Sequence, residues 1–396
     1  MQPKHEVAHI LREQWPAIEE SLKNKTLNGW QVRTLSALGK CRTQKLGGHI
    51  DGCTSCLKLR ISYNSCRNRR CPKCQGNERE AWIEAREKEL LPIGYFHTVF
   101  TLPSELNSLC MRYPALMYNC LFDAAWDTIN TSSKDEKHLG ATTGMISILH
   151  TWGQQMTLHP HLHCIIPGGG LTKEGSWKHS KTKGNYLFPV RALGKVYRAK
   201  YFESLRKGIA DHNSKNERKI ILPYEVTQSC FRKEWVVYTK KPFSGATSAV
   251  EYLWRYTHKV AISNHRITAI DKINDTVTFK YKDYKTHENK KFLQLSSMEF
   301  VRHFALHILP KGFVRIRHYG ILSSTAKVKA IDLIRKQLPA LKTLITKTNA
   351  EPYNPLQCPC CKKETMIRLL DFDLRRPPTN WKVRALTILQ NLKTNN

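Results

Sequence analysis

The sequence predicts an α+β protein, in which an antiparallel sheet is flanked by helices and preceded by a helical and zinc-binding N-terminal module. Short apolar runs that stop at proline or glycine, at 95–102 and 161–167, are typical of buried strands. A longer run after residue 103 has apolar residues at helical spacing as far as about residue 130. Two Cys-x-x-Cys pairs precede the first of these strands and indicate a metal site near the N-terminus.

The N-terminal module begins with two short amphipathic helices predicted within residues 5–40. Two cysteine pairs follow, Cys53 with Cys56 and Cys71 with Cys74. Their spacing is that of a zinc ribbon, in which four thiolates close a tetrahedral structural site around one Zn²⁺ and leave no open position for catalysis. Three further potential ligands lie nearby, and they allow either an exchange of ligands at this site or the binding of a second ion. These residues are Cys41, His49 and Cys66.

The strand predicted at 161–167 begins with two histidines. Because side chains alternate between the faces of a strand, His161 and His163 point to one face while Leu162 points into the core. Two imidazoles on one face can hold one divalent metal ion, although an ordinary pair of surface or core histidines has the same pattern. The strand predicted at 145–152 is expected to be the antiparallel partner of this strand.

A tyrosine pair lies in a helical pattern that runs from about residue 246 to residue 258. Tyr252 and Tyr256 are four residues apart, so both hydroxyls emerge from one face of that helix. Such a pair more often packs in a core than takes part in chemistry. Beside a two-histidine strand in a very basic protein, it becomes a candidate pair of nucleophiles.

The chain is basic along its whole length. It has 396 residues and a formal net charge of +32, from 64 basic and 32 acidic residues. A polyanion partner explains an excess that is spread in this way, and nucleic acid is the expected one. The sequence has no membrane-spanning apolar run, no signal-peptide pattern and no GxxxxGK[ST] phosphate loop. We therefore expect a cytoplasmic protein without ATPase activity, whose clustered cysteines bind metal.

Five segments of the chain, in order, carry motifs of one known family. These segments are 65–75, 98–103, 159–170, 252–266 and 309–320. From the first segment to the last they span residues 65–320, which is most of the chain, and they resemble the two-tyrosine HUH rolling-circle transposases of bacterial insertion sequences, which carry an N-terminal zinc-binding domain. One departure is visible, because Arg70 stands where the family pattern has histidine. A metal role is therefore not expected at that position.

The resemblance implies an HUH nuclease domain in a bacterial, nucleoid-associated enzyme. Such an enzyme cleaves and rejoins single-stranded DNA of transposon ends and target through 5′-phosphotyrosine intermediates. Tyr252 and Tyr256 would be the nucleophiles, so that one tyrosine holds the first DNA end while the other cleaves a second strand. The covalent link retains the energy of the broken bond, and rejoining therefore needs no ATP.

The resemblance also implies that His161 and His163 bind a catalytic Mg²⁺ or Mn²⁺. HUH sites usually complete the shell with a Glu, Gln or His, often from the neighbouring strand. Gln154 is the preferred third ligand, because it is close to the expected hairpin and its amide oxygen suits either ion. Three rivals stay open: Gln155, His159 and His258.

These assignments divide the chain into three parts. Residues 1–92 form the helical and zinc-binding domain, and 93–270 form the nuclease domain, with a polar insertion at about 171–222. Residues 271–396 form a basic C-terminal region that is expected to bind DNA. In that region Cys358 and Cys361 form one more Cys-x-x-Cys pair without a second pair nearby. A four-cysteine site there requires ligands from elsewhere in the chain.

Two other functions stay open. A rolling-circle replication initiator or a relaxase uses identical chemistry, and the zinc ribbon and the basic C-terminal region favour a transposase by resemblance alone. A catalytically inactive, zinc-dependent DNA-binding protein would keep the cysteines without the chemistry. A covalent protein–DNA adduct distinguishes the enzyme from the inactive protein.

Overall fold

The structure is a computed structural model that describes residues 3–74, 90–91, 93–180, 188–243, 260–283, 286, 288–338, 354–373 and 376–394. The α-helices in these ranges are α1 (Val7–Glu13), α2 (Trp15–Lys23), α3 (Gly29–Lys40), α4 (Asn107–Arg112), α5 (Pro114–Lys134), α6 (Val190–Lys215), α7 (Tyr224–Arg232), α8 (Ser297–Ala305), α9 (Lys327–Arg335) and α10 (Trp381–Thr394). The strands are β1 (Gly48–Cys53), β2 (Leu59–Tyr63), β3 (Tyr95–Thr101), β4 (Gly144–Trp152), β5 (Leu158–Pro167), β6 (Gly169–Leu171), β7 (Trp177–His179), β8 (Val237–Phe243), β9 (Ile267–Asp271), β10 (Thr276–Asp283), β11 (Glu288–Ser296), β12 (Ile316–Gly320) and β13 (Met366–Phe372). Within the described ranges, no helix has the length and apolar character needed to cross a membrane.

A five-stranded sheet with the order β12-β4-β5-β3-β8 lies at the centre of the protein, and its neighbouring strands are all antiparallel. Strands β4 and β5 form the predicted hairpin, which turns at residues 153–157. In this hairpin His150 lies opposite His161, and Ile148 lies opposite His163. The predicted α+β class, with an antiparallel sheet flanked by helices, is confirmed.

One face of the central sheet packs against α5 and α6 and forms the main hydrophobic core. Leu162 and Phe100 enter this core from the sheet, and Tyr197 and Phe202 enter it from α6. The ring centroids of Phe100 and Tyr197 are 5.0 Å apart. Helix α6 lies inside the insertion that was predicted to be polar at 171–222. This helix is polar on average, but one of its faces is apolar and buried against the sheet.

The opposite face of the sheet packs against α9. Ile148 and Ile165 from the hairpin share a buried cluster with Ile331 and Ile334 of α9. Strand β12 also lies at the edge of this sheet, paired with β4. Both β12 and α9 follow the boundary predicted at residue 270, so the central domain extends well past that boundary.

The N-terminal helices pack against a second sheet with the order β11-β10-β9. Leu35 of α3 shares a buried cluster with Phe279 of β10 and Phe300 of α8. The backbone amide of Val7 donates to Oδ1 of Asn264 at 3.1 Å, which attaches α1 to the start of this module. The region contains three helices where the sequence predicted two, since Pro16 in the first turn of α2 separates it from α1.

A small sheet with the order β13-β1-β2 joins the two ends of the chain. Strand β13 pairs antiparallel with β1, so that Cys53 lies opposite Met366 and Gly48 lies opposite Phe372. Helix α10 covers this sheet, and its residue Ala385 is buried with Ile50 and Phe372. The predicted N-terminal domain 1–92 is therefore completed by residues from the C-terminal region.

Candidate functional site

Three histidines converge on one face of the central sheet, at the end near the β4–β5 turn. His150 on β4 and His161 and His163 on β5 each offer one ring nitrogen, and these three atoms lie within 4.8 Å of one another. The Nε2 atoms of His161 and His163 are 3.2 Å apart. The rings meet because His150 lies opposite His161, and because residues two apart on β5 share a face. Leu162 points to the opposite face and is fully buried, as the alternation predicts.

The histidine cluster, as we call His150, His161 and His163, is accessible from one side. His150 and His163 are 3% and 8% exposed, whereas His161 is half-buried. The ring of His150 stacks on Trp152, with centroids 4.6 Å apart and an interplanar angle of 16°. A ligand that approaches from solvent therefore contacts His161 first, because the rings of His150 and His163 are buried.

Hydrogen bonds determine which nitrogen atoms face the centre of the histidine cluster. Nδ1 of His161 donates to the backbone carbonyl oxygen of His159 at 2.7 Å. Nδ1 of His163 lies 2.9 Å from Nε2 of His97 on β3. When Nδ1 of His161 and of His163 carries the proton, the Nε2 lone pair of each ring faces the cluster. This arrangement is the usual one for a histidine that binds metal, whose second nitrogen is oriented by a hydrogen bond.

His97 is the buried partner that orients His163. Its side chain is 2% exposed, and burial lowers its pKa to about 3, with the charge of Lys240 acting in the same direction. His97 is therefore neutral near pH 7, so its Nε2 atom can accept the proton of His163 Nδ1 when its own proton is on Nδ1. The sequence did not single out His97, although it lies in the predicted strand 95–102.

The structure changes the preferred third member of the site from Gln154 to His150. Gln154 and Gln155 lie in the β4–β5 turn, and the backbone carbonyl oxygen of Gln154 accepts a hydrogen bond from Arg266. His150 instead lies in the strand directly opposite His161, where the pairing sets its position. The ring of His159 lies beside His161, with centroids 5.1 Å apart, outside the group of three.

The predicted nucleophiles Tyr252 and Tyr256 lie outside the described residues, as does His258. Their roles remain predictions from spacing and resemblance. The described chain resumes at residue 260, and Arg266 then contacts the β4–β5 turn through the carbonyl oxygen of Gln154. The chain that follows the tyrosines is thus held at the same end of the sheet as the histidine cluster.

Eight of the thirteen cysteines form two groups of four, rather than the single predicted ribbon. We call the first group, Cys41, Cys66, Cys71 and Cys74, the N-terminal cysteine cluster. Its Sγ–Sγ distances are 3.5 Å from Cys41 to Cys74 and 3.7 Å from Cys66 to Cys74. Tetrahedral Zn²⁺ with Zn–S bonds of about 2.3 Å separates its sulfur ligands by roughly 3.8 Å. The cluster therefore has the size of a four-thiolate zinc site.

The second group contains Cys53, Cys56, Cys358 and Cys361, and we call it the bridging cysteine cluster. The predicted grouping of Cys53 and Cys56 with Cys71 and Cys74 is wrong, because β13 brings Cys358 and Cys361 to the first pair. Cys41 and Cys66, which the sequence left as extra ligands, complete the N-terminal cysteine cluster. His49 belongs to neither group, since its Nε2 lies 3.5 Å from a carboxylate oxygen of Asp51.

Comparisons with known proteins assign the chain to a family. Residues 10–102 match the family described as "Transposase zinc-binding domain", of the IS91 type, and residues 144–329 match the family described as "Putative transposase". The chain is 38% identical over 396 residues to "Putative transposase y4qJ" of Sinorhizobium fredii, in an alignment that covers 95% of this chain and 98% of that protein. The chain belongs to the IS91 family of HUH transposases.

Two further proteins are similar to this transposase over part of the chain. It is 27% identical over 314 residues to the transposase for insertion sequence element IS801 of Pseudomonas savastanoi pv. phaseolicola, with 76% of this chain and 73% of that protein covered. The solved structure of TrwC complexed with a 27-mer DNA is 15% identical, covers 41% of this chain and 71% of its own, and has a TM-score of 0.22.

Family membership establishes the general activity. This transposase is a DNA-binding and DNA-cleaving enzyme of rolling-circle transposition, which decides between the transposase and the replication initiator or relaxase left open by the sequence. Its N-terminal domain is a zinc-binding domain, and the matched residues 10–102 contain the whole N-terminal cysteine cluster. Cys358 and Cys361 lie outside both matched ranges.

Arg70, the departure from the family pattern, is buried next to the N-terminal cysteine cluster. Its side chain is 5% exposed and lies near Arg315 and Arg69, so burial and these neighbouring charges lower its pKa well below the usual value. Arg69 donates to the backbone carbonyl oxygen of Phe313 at 3.0 Å. Arg69 thus attaches the zinc-binding domain to the segment before β12.

Substitution of Cys71 by serine is expected to remove one zinc ion per chain. Structural zinc sites contribute folding free energy directly, about 10–16 kcal/mol in zinc-finger peptides, so the Tm of the zinc-binding domain should fall strongly. Zinc content by mass spectrometry and thermal unfolding check this result. Cys110→Ser is the control, because Cys110 is buried in the main core outside both clusters. Cys110→Ser should lose some stability and keep all its zinc, whereas full zinc occupancy in Cys71→Ser would contradict the assignment.

Proposed function

We propose that this transposase cleaves single-stranded DNA at transposon ends and target by attack of Tyr252 or Tyr256 on a phosphate bound at the histidine cluster. The observation that carries the proposal is the convergence of His150, His161 and His163 within 4.8 Å. The roles of the two tyrosines come from their spacing and from the family resemblance. The family establishes cleavage of DNA, and the proposal adds the residues, the metal and the strandedness of the substrate.

The histidine cluster fits a divalent cation. Its three imidazoles can all be neutral, and the Nε2 atoms of His161 and His163 are oriented toward one point by hydrogen bonds from their Nδ1 atoms. Three protein ligands leave positions free for phosphate oxygens. Since Mg²⁺ prefers oxygen ligands and imidazole suits transition metals, nitrogen donors favour Mn²⁺ over Mg²⁺. When bound, the cation would polarise the scissile phosphate and orient it for in-line attack.

The chemical step forms one bond and breaks another at the same phosphorus. The phenol oxygen of a tyrosine bonds to the scissile phosphorus, and the bond from phosphorus to the 3′ oxygen breaks. The phenolic proton passes to solvent, and the leaving 3′ oxygen takes up a proton from solvent to become a hydroxyl. The products are a 5′-phosphotyrosine and a free 3′-hydroxyl, and the reverse attack by a 3′-hydroxyl rejoins DNA without ATP.

A single strand is the substrate that suits this site. Two of the three rings are almost fully buried, so a phosphate must approach along the side on which His161 is half-buried. A flexible single strand can bend its backbone into such a site more easily than a duplex can. The net charge of +32 supplies the phosphate contacts that hold the strand.

An adduct assay tests the proposal. The transposase is incubated with Mn²⁺ and a single-stranded oligonucleotide from the end of its own insertion sequence, and SDS gel electrophoresis then detects a covalent complex. We expect an SDS-resistant adduct when Mn²⁺ and the single strand are present. Much less adduct should form with a duplex of the same sequence, and none should form when EDTA removes the metal. An adduct that forms equally well in EDTA would contradict the role of the histidine cluster, and the absence of any adduct would match the catalytically inactive protein.

His97→Ala is expected to lower Mn²⁺ affinity and the rate of adduct formation by about 10–100-fold, because it removes the hydrogen-bond partner that orients His163. His97→Gln is the matched variant, since its amide oxygen can still accept the proton of His163 Nδ1 and should restore much of the loss. The rate of adduct formation is measured as a function of Mn²⁺ concentration, because a positioning role changes the Mn²⁺ affinity whereas a loss of fold lowers the rate at every concentration. Equal rates in His97→Ala and the parent at limiting Mn²⁺ would exclude the positioning role.

A further inference from the structure

We propose that the bridging cysteine cluster binds a second structural Zn²⁺, which joins the C-terminal segment to the N-terminal domain. The ligands are Cys53 and Cys56 from the β1–β2 connection and Cys358 and Cys361 from the segment before β13. The site does not depend on the tyrosine chemistry proposed above. It makes the zinc-binding domain a structure formed by both ends of the chain.

The dimensions of the bridging cysteine cluster fit zinc. The Sγ atoms of Cys53 and Cys361 are 3.6 Å apart, and those of Cys56 and Cys358 are also 3.6 Å apart. Both distances are close to the roughly 3.8 Å between thiolates of a tetrahedral zinc site. A disulfide would need about 2.05 Å between paired sulfur atoms. The four sulfur atoms also match the N-terminal cysteine cluster in their spacing.

The two Cys-x-x-Cys turns have the same backbone geometry. In each turn the amide of the fifth residue donates to the carbonyl oxygen of the first, from Leu57 to Cys53 at 3.0 Å and from Lys362 to Cys358 at 2.9 Å. Leu57 and Lys362 have φ angles of 59° and 62°, a left-handed conformation that is uncommon for residues with a side chain. Two equivalent turns that share this unusual conformation face one another, as paired knuckles around one ion would.

Backbone amides in both turns point at sulfur atoms. The amide of Cys56 lies 3.3 Å from Sγ of Cys53, and the amide of Cys360 lies 3.4 Å from Sγ of Cys358. The hydroxyl oxygen of Thr365 lies 3.1 Å from Sγ of Cys53. Hydrogen bonds of this kind hold the ligand atoms of a metal site in a fixed orientation. Four thiolates close the coordination shell, and the site is therefore structural rather than catalytic.

Strand pairing explains how ligands that are 302 residues apart meet. Cys53 at the end of β1 lies opposite Met366 at the start of β13, and the amide of Thr54 donates to the carbonyl oxygen of Thr365 at 3.0 Å. The antiparallel pairing of β1 with β13 therefore places both cysteine pairs at the same end of the small sheet. The ion in turn would cross-link strands whose connection passes through the entire nuclease domain.

The fully buried core of the small sheet has few residues. Among the described residues, its buried apolar cluster consists of Ile50, Phe372 and Ala385. A core of this size is usually too small to stabilise a fold by itself, and small domains commonly add a metal or disulfides. A cross-link between distant residues also restricts the unfolded chain, which favours the folded state. A zinc ion at the bridging cysteine cluster supplies both kinds of stabilisation.

Zinc stoichiometry tests the site. The parent for this test is the full chain with His161→Ala and His163→Ala, so that the histidine cluster takes up no zinc. We expect two zinc ions per chain in this parent, one after Cys358→Ser and Cys361→Ser are added, and two after the control change Cys360→Ser. Cys360 is exposed and adjacent to the ligands, but it lies outside the cluster. One ion in the parent, or two ions in the double serine variant, would overturn the proposal.

A second measurement uses the unmodified chain, in case the serine variant fails to fold. A thiol-alkylating reagent is added to the native protein, zinc release is followed with a chromophoric chelator, and modified cysteines are located by mass spectrometry. We expect Cys360 to react without zinc release, and Cys53, Cys56, Cys358 and Cys361 to react together as one ion is released. Modification of Cys358 and Cys361 with no release of zinc, or recovery of either residue in a disulfide, would refute the site.

Discussion

The double variant His161→Ala, His163→Ala is expected to form no covalent adduct with single-stranded DNA and to keep nearly all of its affinity for that DNA. The adduct requires the metal that the two rings would hold, whereas affinity comes from many phosphate contacts across a protein with a net charge of +32. Adduct formation and equilibrium binding, measured at one salt concentration, check the two parts of this result. An adduct at the parental rate would place the metal site elsewhere.

Single substitutions of His150 and Gln154 distinguish the two candidates for the third ligand. His150→Ala should abolish the adduct at limiting Mn²⁺, with partial recovery at high Mn²⁺, because it removes a ligand from a strand position opposite His161. Gln154→Ala should leave the rate within a few-fold of the parent, since Gln154 lies in the β4–β5 turn and not at a strand position opposite His161. The reverse order of effects would restore Gln154 as the ligand.

Variants of the two tyrosines should distinguish a single cleavage from complete transposition. Tyr252→Phe and Tyr256→Phe each keep the ring and remove the nucleophilic oxygen, so each variant should fold, bind DNA and fail in complete transposition. At least one of them should still form an adduct with a simple oligonucleotide, because one nucleophile is sufficient for one cleavage. The double phenylalanine variant should form no adduct at all.

An alternative role for the tyrosines predicts a different pattern. If Tyr252 and Tyr256 serve only in packing, loss of each hydroxyl removes about one hydrogen bond, or roughly 1 kcal/mol, and leaves the activity intact. Thermal unfolding together with the adduct assay therefore separates the two roles. Persistence of the adduct in the double phenylalanine variant would remove these residues from the mechanism.

The periodicity of the sequence was sufficient to predict part of the site. Alternation along β5 placed His161 and His163 on one face and Leu162 in the core, and the structure has this arrangement. His150 was missed because its role depends on the register between two strands, which the sequence alone does not define. Once the β4–β5 pairing is known, His150 is the residue opposite His161. The contact between His97 and His163 was missed for the same reason, because it depends on the register between β3 and β5.

The cysteine sites show a different limit. Spacing predicted that Cys53, Cys56, Cys71 and Cys74 share one metal site, because it favours ligands that are close in the chain. The actual groups depend on the pairing of β1 with β13, which joins residues about 300 positions apart. Composition is similarly limited for α6. The many lysines of this helix indicate a polar surface, but they do not show that its other face is buried in the main core.

The pairing of β1 with β13 also sets the order of events during synthesis. Cys56 follows β1 directly, and Cys358, just before β13, leaves the ribosome 302 residues after Cys56. At about 5–20 residues per second, the N-terminal half of the small sheet waits roughly 15–60 s for its partner. A nascent or prematurely terminated chain therefore has an incomplete zinc-binding domain, whatever the state of its nuclease domain. In the transposase this domain is therefore completed only after β13 has been synthesised.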